Sequence, residues 1–170
     1  VVNGDFNFKF TVPGDISYLF GNAKISMYAF DTTNTLTDAK GYDKSLVIGG
    51  IENNFAADNQ GPKIDLYIDN RNFVDGGLSS ENPVLIVGLF DESGINTTLN
   101  GIGHQITATL NGGPPLILND FYTSALDNYR SGTIEYQFFS LEDGEYIVNV
   151  KAWDSFNNSS EKSIAFYIRD

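Results

Sequence analysis

The sequence predicts an all-β protein, an immunoglobulin-like antiparallel β-sandwich with one complete module preceded by the last strands of a similar module. Apolar residues alternate with polar ones in short runs, which is the period of strands with one buried face. Clusters of Gly, Pro, Asn and Asp separate these runs. One segment near the C-terminus also has a counterpart near the N-terminus. Many short strands bounded by turns are typical of a sandwich.

The strands of the complete module follow one another along the chain. "PVLIVGLF", at 83–90, is nearly all apolar and predicts a strand covered on both faces. The segment 121–130 is where we expect a helical turn. Named as in immunoglobulin-like domains, the predicted strands are A (63–68), B (83–90), C (104–110), C′ (116–118), E (133–139), F (145–153) and G (162–168).

An internal repeat indicates the domain organisation. "GNAKISMYAFD", at 21–31, matches "GEYIVNVKAWD", at 144–154, with Gly and Asp at the same spacing. Such self-similarity indicates two tandem modules of one type. We predict that residues 1–57 are the C-terminal part of a sandwich module and that residues 58–170 are a complete one, with the polar turn "DNQGP" at the boundary. Because Val1 begins in a strand-rich stretch, we expect a piece of a longer protein.

The stretch "LEDGEY", at 141–146, predicts a tyrosine corner. In this motif a Tyr at the start of strand F donates its hydroxyl hydrogen to the backbone of the preceding turn. Tyr146 is the residue in that position.

Composition excludes several classes of function. The chain has 22 Asp and Glu against 10 Lys and Arg, a net charge of −12, which argues against nucleic acid as a partner. It has no cysteine, hence no thiol nucleophile and no thiolate metal site. His104 is the single histidine, and its position suggests no triad with a serine and an acid. We therefore expect no enzymatic activity from this chain and no catalytic residues in it.

Acidic residues fall where three parts of the predicted sandwich meet. The start of strand A, the B–C loop and the F–G loop lie at one end of such a fold. Their carboxylate and amide oxygens are the ligands that calcium prefers, so we predict a calcium site there. The alternative is that these residues only form Asx turns. The predicted ligands are Asp58, Asp91, Asp154 and Asn157, with Glu92 in the same loop cluster.

A family resemblance rests on an ordered series of motifs along nearly the whole chain. These segments resemble the C-terminal β-domains of the PorU family, the gingipain-like cysteine peptidases that serve as sortases of the type IX secretion system. The segment "FKFTVPGDISYLFGNAKISMYAFD" is similar to the part just before those domains. The motifs are "DNQGPKIDLYIDNRNF", "GLFDESGIN", "GIGHQITATLNG", "LNDFY" and "KAWDSFNN".

The resemblance implies a parent protein at the cell surface of Bacteroidetes-type bacteria, on the extracellular side of the outer membrane. That parent would be a cysteine endopeptidase and transpeptidase that removes the C-terminal sorting domain of cargo and attaches the cargo to lipopolysaccharide. Its catalytic Cys and His lie in an upstream caspase-like domain, so neither can be placed here. The implied partners are that domain, a PorV-like outer-membrane barrel and secreted cargo. This chain is then expected to be a non-catalytic structural and docking module.

A second interpretation is a free-standing adhesive or carbohydrate-binding surface module. It would require exposed aromatic side chains on one sheet face, and Tyr67, Trp153 and Tyr167 have the right parity to point outwards. The incomplete first module favours the docking interpretation. Its unpaired strand edges also predict homodimerisation through that module.

Overall fold

The computed structural model describes residues 7–8, 12, 19–30, 37–50, 58–98 and 103–169. Within these ranges the protein is all-β, with one short 3₁₀ helix and no α-helix. No helix in the described part of the chain is long and apolar enough to cross a membrane. The chain divides into two compact units, one spanning Ile16–Ala56 and one containing Ala57–Asp170.

The smaller unit contains one extended hairpin. Its central strands pair antiparallel from Ile25 opposite Asp43 to Phe30 opposite Asp38. The outer strands also pair with each other and continue the hairpin after a bulge. In this bulge the second half of the hairpin has one residue more than the first half. The Asp43 carboxylate accepts a hydrogen bond from the Ser45 backbone N–H at 2.7 Å and so shapes this bulge. The strands are β1 (Gly21–Asn22), β2 (Ile25–Phe30), β3 (Asp38–Asp43) and β4 (Val47–Ile48).

The larger unit contains nine strands. In order they are β5 (Lys63–Ile68), β6 (Gly77–Ser79), β7 (Val84–Phe90), β8 (Thr107–Leu110), β9 (Leu116–Ile117), β10 (Tyr122–Ala125), β11 (Asn128–Gln137), β12 (Gly144–Trp153) and β13 (Ser159–Ile168). The 3₁₀ helix, Asn119–Phe121, lies between β9 and β10.

These nine strands form two sheets with the immunoglobulin-like strand order. One sheet has the order β10-β11-β7-β5, and the other has the order β6-β13-β12-β8-β9. All neighbours are antiparallel except β6, which runs parallel to the end of β13. The prediction of an antiparallel β-sandwich is therefore confirmed, with one parallel pair added.

The core is formed by the inward-facing residues of both sheets. Along β12, Val148, Val150 and Ala152 have no exposed surface, and alternate residues of β5, β7 and β13 are buried opposite them. On β7 only every second residue is buried, and the outward residues are half-buried except Phe90, which is exposed. The nearly continuous apolar run of β7 is thus covered fully on one face, not on both as its composition suggested.

One local prediction differs from the structure, and one strand was not predicted. The segment 121–130 is a β-hairpin and not a helical turn, because Tyr122–Ala125 pairs with the first half of β11. Its tight turn is made possible by Asp127, whose φ of 53° lies in the left-handed region that Asp tolerates. The sequence also gave no signal for β6, which has only three residues and no buried side chain.

The tyrosine corner is present. The Tyr146 hydroxyl donates a hydrogen bond to the Glu142 carbonyl oxygen at 3.0 Å. The Tyr146 ring stacks on Phe166 with ring centroids 5.4 Å apart. The hydrogen bond and the ring contact together hold the turn that leads into β12, the strand that ends just before Asp154.

Candidate functional site

Three aspartates converge at one end of the larger sandwich. Asp58 precedes β5, Asp91 follows β7 and Asp154 follows β12, so each lies where a strand enters or leaves that end. One carboxylate oxygen of each lies within 4.8 Å of the others. Asp91 is 6% exposed and Asp154 is fully buried. Buried carboxylates at this separation require compensation by hydrogen-bond donors, protons or a cation.

Asp154 is compensated by its own loop. Its Oδ1 accepts hydrogen bonds from the backbone N–H groups of Phe156, at 2.8 Å, and Asn158, at 2.7 Å. Its Oδ2 accepts a third from the Asn158 side-chain amide at 2.7 Å. An ionised carboxylate with three donors is well stabilised, and Asp154 thereby organises the loop between β12 and β13.

Asp91 is less well compensated. Its Oδ1 accepts one hydrogen bond from the Ser93 backbone N–H at 2.7 Å. Burial raises the pKa of Asp91 from 3.8 to about 6, and the negative charges of Asp154 and Asp58 add to that increase. The Ser93 hydrogen bond acts in the opposite direction but does not outweigh burial. Asp91 is therefore the carboxylate of this cluster that most needs a positive charge beside it.

Asp58 connects the cluster to two loops. Its carboxylate accepts hydrogen bonds from the Ser93 hydroxyl and from the Gln60 backbone N–H, and both lower the pKa of Asp58 below its ordinary value. Its carbonyl oxygen accepts a hydrogen bond from the Asn158 side chain at 3.0 Å. The strand entering β5 is thus tied to the loops that follow β7 and β12.

Asn157, the fourth predicted ligand, lies in the same loop as Asp154. Its φ of 68° places it in the left-handed conformation, as expected for Asn in a tight turn. Its side-chain oxygen is buried and receives no hydrogen bond. Glu92 behaves differently, because its carboxylate is 2.8 Å from the Arg130 guanidinium and is not among the three converging carboxylates.

The geometry of the three carboxylates suits a hard cation. Calcium binds oxygen at about 2.3–2.6 Å, so two oxygens on one ion lie at most about 5 Å apart. Oxygens within 4.8 Å of one another meet that limit. The turn interpretation also describes part of the site, because Asp154 caps its own loop through backbone N–H groups. The two interpretations are compatible, since a carboxylate oxygen can accept a hydrogen bond and bind a cation.

Sequence reasoning did not single out Ser93 and Asn158. Ser93 donates its backbone N–H to Asp91 and its hydroxyl to Asp58, and Asn158 bridges Asp58 and Asp154. The only available signal was their position two and four residues after an Asp, which is the spacing of Asx-type turns.

His104 has a packing position at this end of the sandwich. Its ring centroid is 4.4 Å from that of Trp153, with the rings tilted by 46°. The Lys151 ammonium also lies over the Trp153 ring, 5.0 Å from its centroid. The single histidine thus packs against an aromatic side chain that also contacts a lysine, which is a structural arrangement.

Comparison with known proteins identifies one informative relative. No protein-family model matches the chain, and no curated protein matches it. Among solved structures, that of dimeric latent PorU from Porphyromonas gingivalis superposes with a TM-score of 0.65 at 30% sequence identity over 93% of this chain. The chain is related to the C-terminal domains of PorU. It spans 15% of the length of that PorU chain, so it corresponds to a small part of PorU.

A second solved structure resembles the chain only slightly. The endo-β-1,4-mannanase from Thermotoga petrophila superposes over 66% of this chain and 21% of its own, with 12% identity and a TM-score of 0.44. That likeness is too slight to bear on fold or function. The PorU-related character of the domain therefore rests on the PorU structure.

Proposed function

We propose that this chain is a non-catalytic structural and docking segment of a PorU-type sortase of the type IX secretion system. The observation that supports this is the likeness to PorU over 93% of the chain. In this proposal the parent enzyme removes the sorting domain of cargo and attaches cargo to lipopolysaccharide at the cell surface. This segment contributes a rigid sandwich at the extracellular side of the outer membrane.

The chemistry of the chain supports a non-catalytic role. A cysteine peptidase needs a thiolate nucleophile and a nearby base, and this chain has no cysteine. Its one histidine packs against the Trp153 ring. Peptide cleavage would therefore depend on the caspase-like domain of the parent chain.

The alternative, a carbohydrate-binding or adhesive module, receives less support. A sugar platform needs aromatic rings with open faces, yet Trp153 carries His104 and Lys151. The Arg71 guanidinium lies 6.0 Å from the Tyr67 ring centroid, and the Tyr167 hydroxyl donates to Glu145 at 3.0 Å. Two of the three candidate rings, Trp153 and Tyr67, thus already have a group over a face, which favours the docking role.

The proposed partners are the caspase-like domain of the parent chain, a PorV-like barrel and secreted cargo. The PorU structure is that of a dimer, which supports homodimerisation as a further proposal for this chain. Light scattering of the purified chain tests the dimer, and a monomer at all concentrations would contradict it.

The experiment for the main proposal uses the full-length enzyme and this chain side by side. The purified chain should leave a cargo protein with its sorting domain uncut. Full-length enzyme lacking the segment that corresponds to this chain, residues 1–170, but with its catalytic domain folded, should lose cargo sorting. Cleavage by the isolated chain that His104→Ala abolishes would contradict the non-catalytic role, and normal sorting by the truncated enzyme would contradict the docking role.

For the carboxylate cluster we propose calcium as the ligand, held by Asp58, Asp91, Asp154 and Asn157. The support is the approach of three carboxylate oxygens to within 4.8 Å and the buried Asn157 oxygen that lacks a donor. Extracellular modules bind calcium with dissociation constants of about 0.1–1 mM, and we expect that range here.

Thermal unfolding with and without calcium tests this site. Millimolar calcium should raise the melting temperature relative to EDTA, and Asp91→Asn should abolish that increase. Asp120→Asn is the control, because Asp120 is exposed and lies outside the cluster. An identical melting temperature in calcium and EDTA would rule out the metal, and a magnesium response of equal size would rule out selectivity for calcium.

A further inference from the structure

One face of the β2–β3 hairpin combines lysines with aromatic rings. Alternate residues of a strand share a face, and the pairing sets Ser26 opposite Tyr42 and Tyr28 opposite Lys40. Lys24 and Lys44 belong to the same surface, because their ammonium groups lie 5.2 and 5.1 Å from the centroid of the Tyr42 ring. We call this surface the lysine face; it consists of Lys24, Tyr28, Phe30, Lys40, Tyr42 and Lys44, with the carboxylate of Asp38, opposite Phe30, at its edge.

Among the described residues, the three ammonium groups of the lysine face have no salt-bridge partner. Lys24, Lys40 and Lys44 are exposed, and none of them forms a salt bridge in the described part of the chain. The lysines of the larger unit differ in this respect, because three of them pair with Asp or Glu. Those are Lys63, Lys151 and Lys162. A chain with 12 surplus acidic residues thus places three lysines together that form no salt bridge within its described ranges.

The internal repeat indicates that the lysine face is the outer face of its sheet. The opposite face of β2 carries Ile25 and Met27, which match Val148 and Val150 in the repeat. Those two valines are fully buried in the larger sandwich. The lysine face accordingly matches the outward side of β12, the side on which Lys151 lies. It is the side that remains available to a partner when a sheet covers the inner face.

We propose that the lysine face binds an acidic, extended segment of a partner polypeptide. An extended segment with Asp or Glu at every second position presents its carboxylates on one side, where they can meet the three ammonium groups. A depression of about 490 Å³ between these side chains, lined by Lys24, Tyr28, Lys40 and Tyr42 among others, gives the segment a place to lie.

The arrangement of the rings favours a peptide over an anionic sugar. Two ammonium groups lie over the Tyr42 ring. Tyr28 and Phe30 stack on each other with centroids 6.0 Å apart and planes inclined by 29°. The Tyr42 ring is thereby less open to sugar stacking, whereas the exposed ammonium groups can still receive carboxylates. The inference names the partner chemistry of the docking role proposed above and rests on that role.

The test measures binding of a labelled peptide of alternating Glu and Val, eight residues long, to the full 170-residue chain by fluorescence anisotropy in 150 mM NaCl. Replacing Lys24, Lys40 and Lys44 together by Glu should weaken binding about tenfold or more, since three exposed ion pairs are lost. The matched control replaces Lys63, Lys151 and Lys162 by Glu. It changes the net charge equally and should alter binding by less than about threefold, because separated surface charges are screened at this salt.

Circular dichroism establishes that each variant is folded, and the single substitution Lys40→Gln should still weaken binding measurably. Equal loss of binding in both triple variants, or no binding of the acidic peptide by the natural chain, would overturn the proposal. Tighter binding of a sulfated oligosaccharide than of the peptide would also overturn it. Peptide binding that persists while the truncated full-length enzyme sorts cargo normally would refute the docking role and leave the peptide site intact.

Discussion

Two buried carboxylates lie side by side at the end of the sandwich, and their surroundings differ. Asp154 receives three hydrogen bonds from its own loop. The Asp91 side chain accepts one hydrogen bond, from the Ser93 backbone N–H, and two other carboxylates lie near it. Burial therefore opposes ionisation of Asp91, whereas the Asp154 carboxylate is held in place by its own loop.

The raised pKa of Asp91 predicts a specific pH dependence of stability. In the unfolded chain this group ionises near 3.8, whereas in the folded chain it keeps its proton to about 6. The folded state thus binds more protons between these values, so Asp91 makes the protein less stable as pH rises from 4 to 7. The loss is on the order of 2–3 kcal/mol for a shift of this size.

Asp91→Asn should remove that dependence, because the amide keeps an acceptor for Ser93 and carries no charge. In EDTA we expect the variant to be more stable than the natural chain at pH 7.5 and about equal to it at pH 4. Urea unfolding at a series of pH values measures this. A variant that follows the same pH slope as the natural chain would contradict it.

Asp154→Ala should destabilise the domain. It leaves the backbone N–H groups of Phe156 and Asn158 without their acceptor in a buried loop, a loss of about 1–3 kcal/mol. Asp154→Asn retains one acceptor oxygen and should lose less. Chemical denaturation in EDTA compares the two variants, and unchanged stability of the alanine variant would show that the loop is held by other contacts.

Among the strands, those that could be predicted are the ones whose buried face gives a clear alternation. β5, β7, β12 and β13 each bury at least three alternate residues, and the sequence located them within a few positions. β6 and β10 are short and bury no residue, so no local alternation reveals them. β6 pairs with β13, which is distant in the chain, whereas β10 pairs with the adjacent β11.

The candidate site was predictable to the same degree. The meeting of Asp58, Asp91 and Asp154 follows from strand direction alone, because three chain segments must pass through one end of the sandwich. The contributions of Ser93 and Asn158 depend on the loop conformation, which strand periodicity does not determine. Glu92 could not be excluded from sequence, since its Arg130 partner lies 38 residues away in the chain.

The tyrosine corner gives a test of how β12 is anchored. Tyr146→Phe removes the hydroxyl that donates to the Glu142 carbonyl and keeps the ring stacked on Phe166. We expect a loss of about 1 kcal/mol, the usual contribution of one hydrogen bond. Tyr167→Phe is the matched control, because its hydroxyl bonds an exposed carboxylate and its loss should have almost no effect. Equal effects of the two substitutions on the urea midpoint would contradict a special role for Tyr146.

As a molecule, the protein consists of two units with different kinds of stabilisation. The larger unit has a closed core between two sheets. The hairpin of the smaller unit leaves nearly all its side chains exposed, including Tyr28, Phe30 and Tyr42. Burial of apolar surface is the main source of stability, so the hairpin depends much more on its backbone pairing.

Hydrogen exchange should therefore separate the two units. Amides of β2 and β3 should exchange through local opening, whereas those of β12 should exchange only on global unfolding of the sandwich. Mass spectrometry at peptide resolution measures both in one experiment. Equal protection of β2 and β12 would mean that the hairpin is held by contacts other than its own pairing, such as those of a homodimer.

The parallel pairing of β6 with the end of β13 bears on how the domain responds to tension. The chain enters the sandwich at Asp58 through β5, and β13 runs from that end to the opposite one. Once β5 has detached from β7, pulling on both ends draws β6 and β13 in opposite directions along their axes. Bonds loaded in this way share the force and break together, unlike those of a hairpin pulled open one pair at a time. Single-molecule stretching should show a high rupture force that Leu78→Pro, which removes a backbone donor from β6, lowers. The domain would thus transmit pulling forces between its two ends without unfolding.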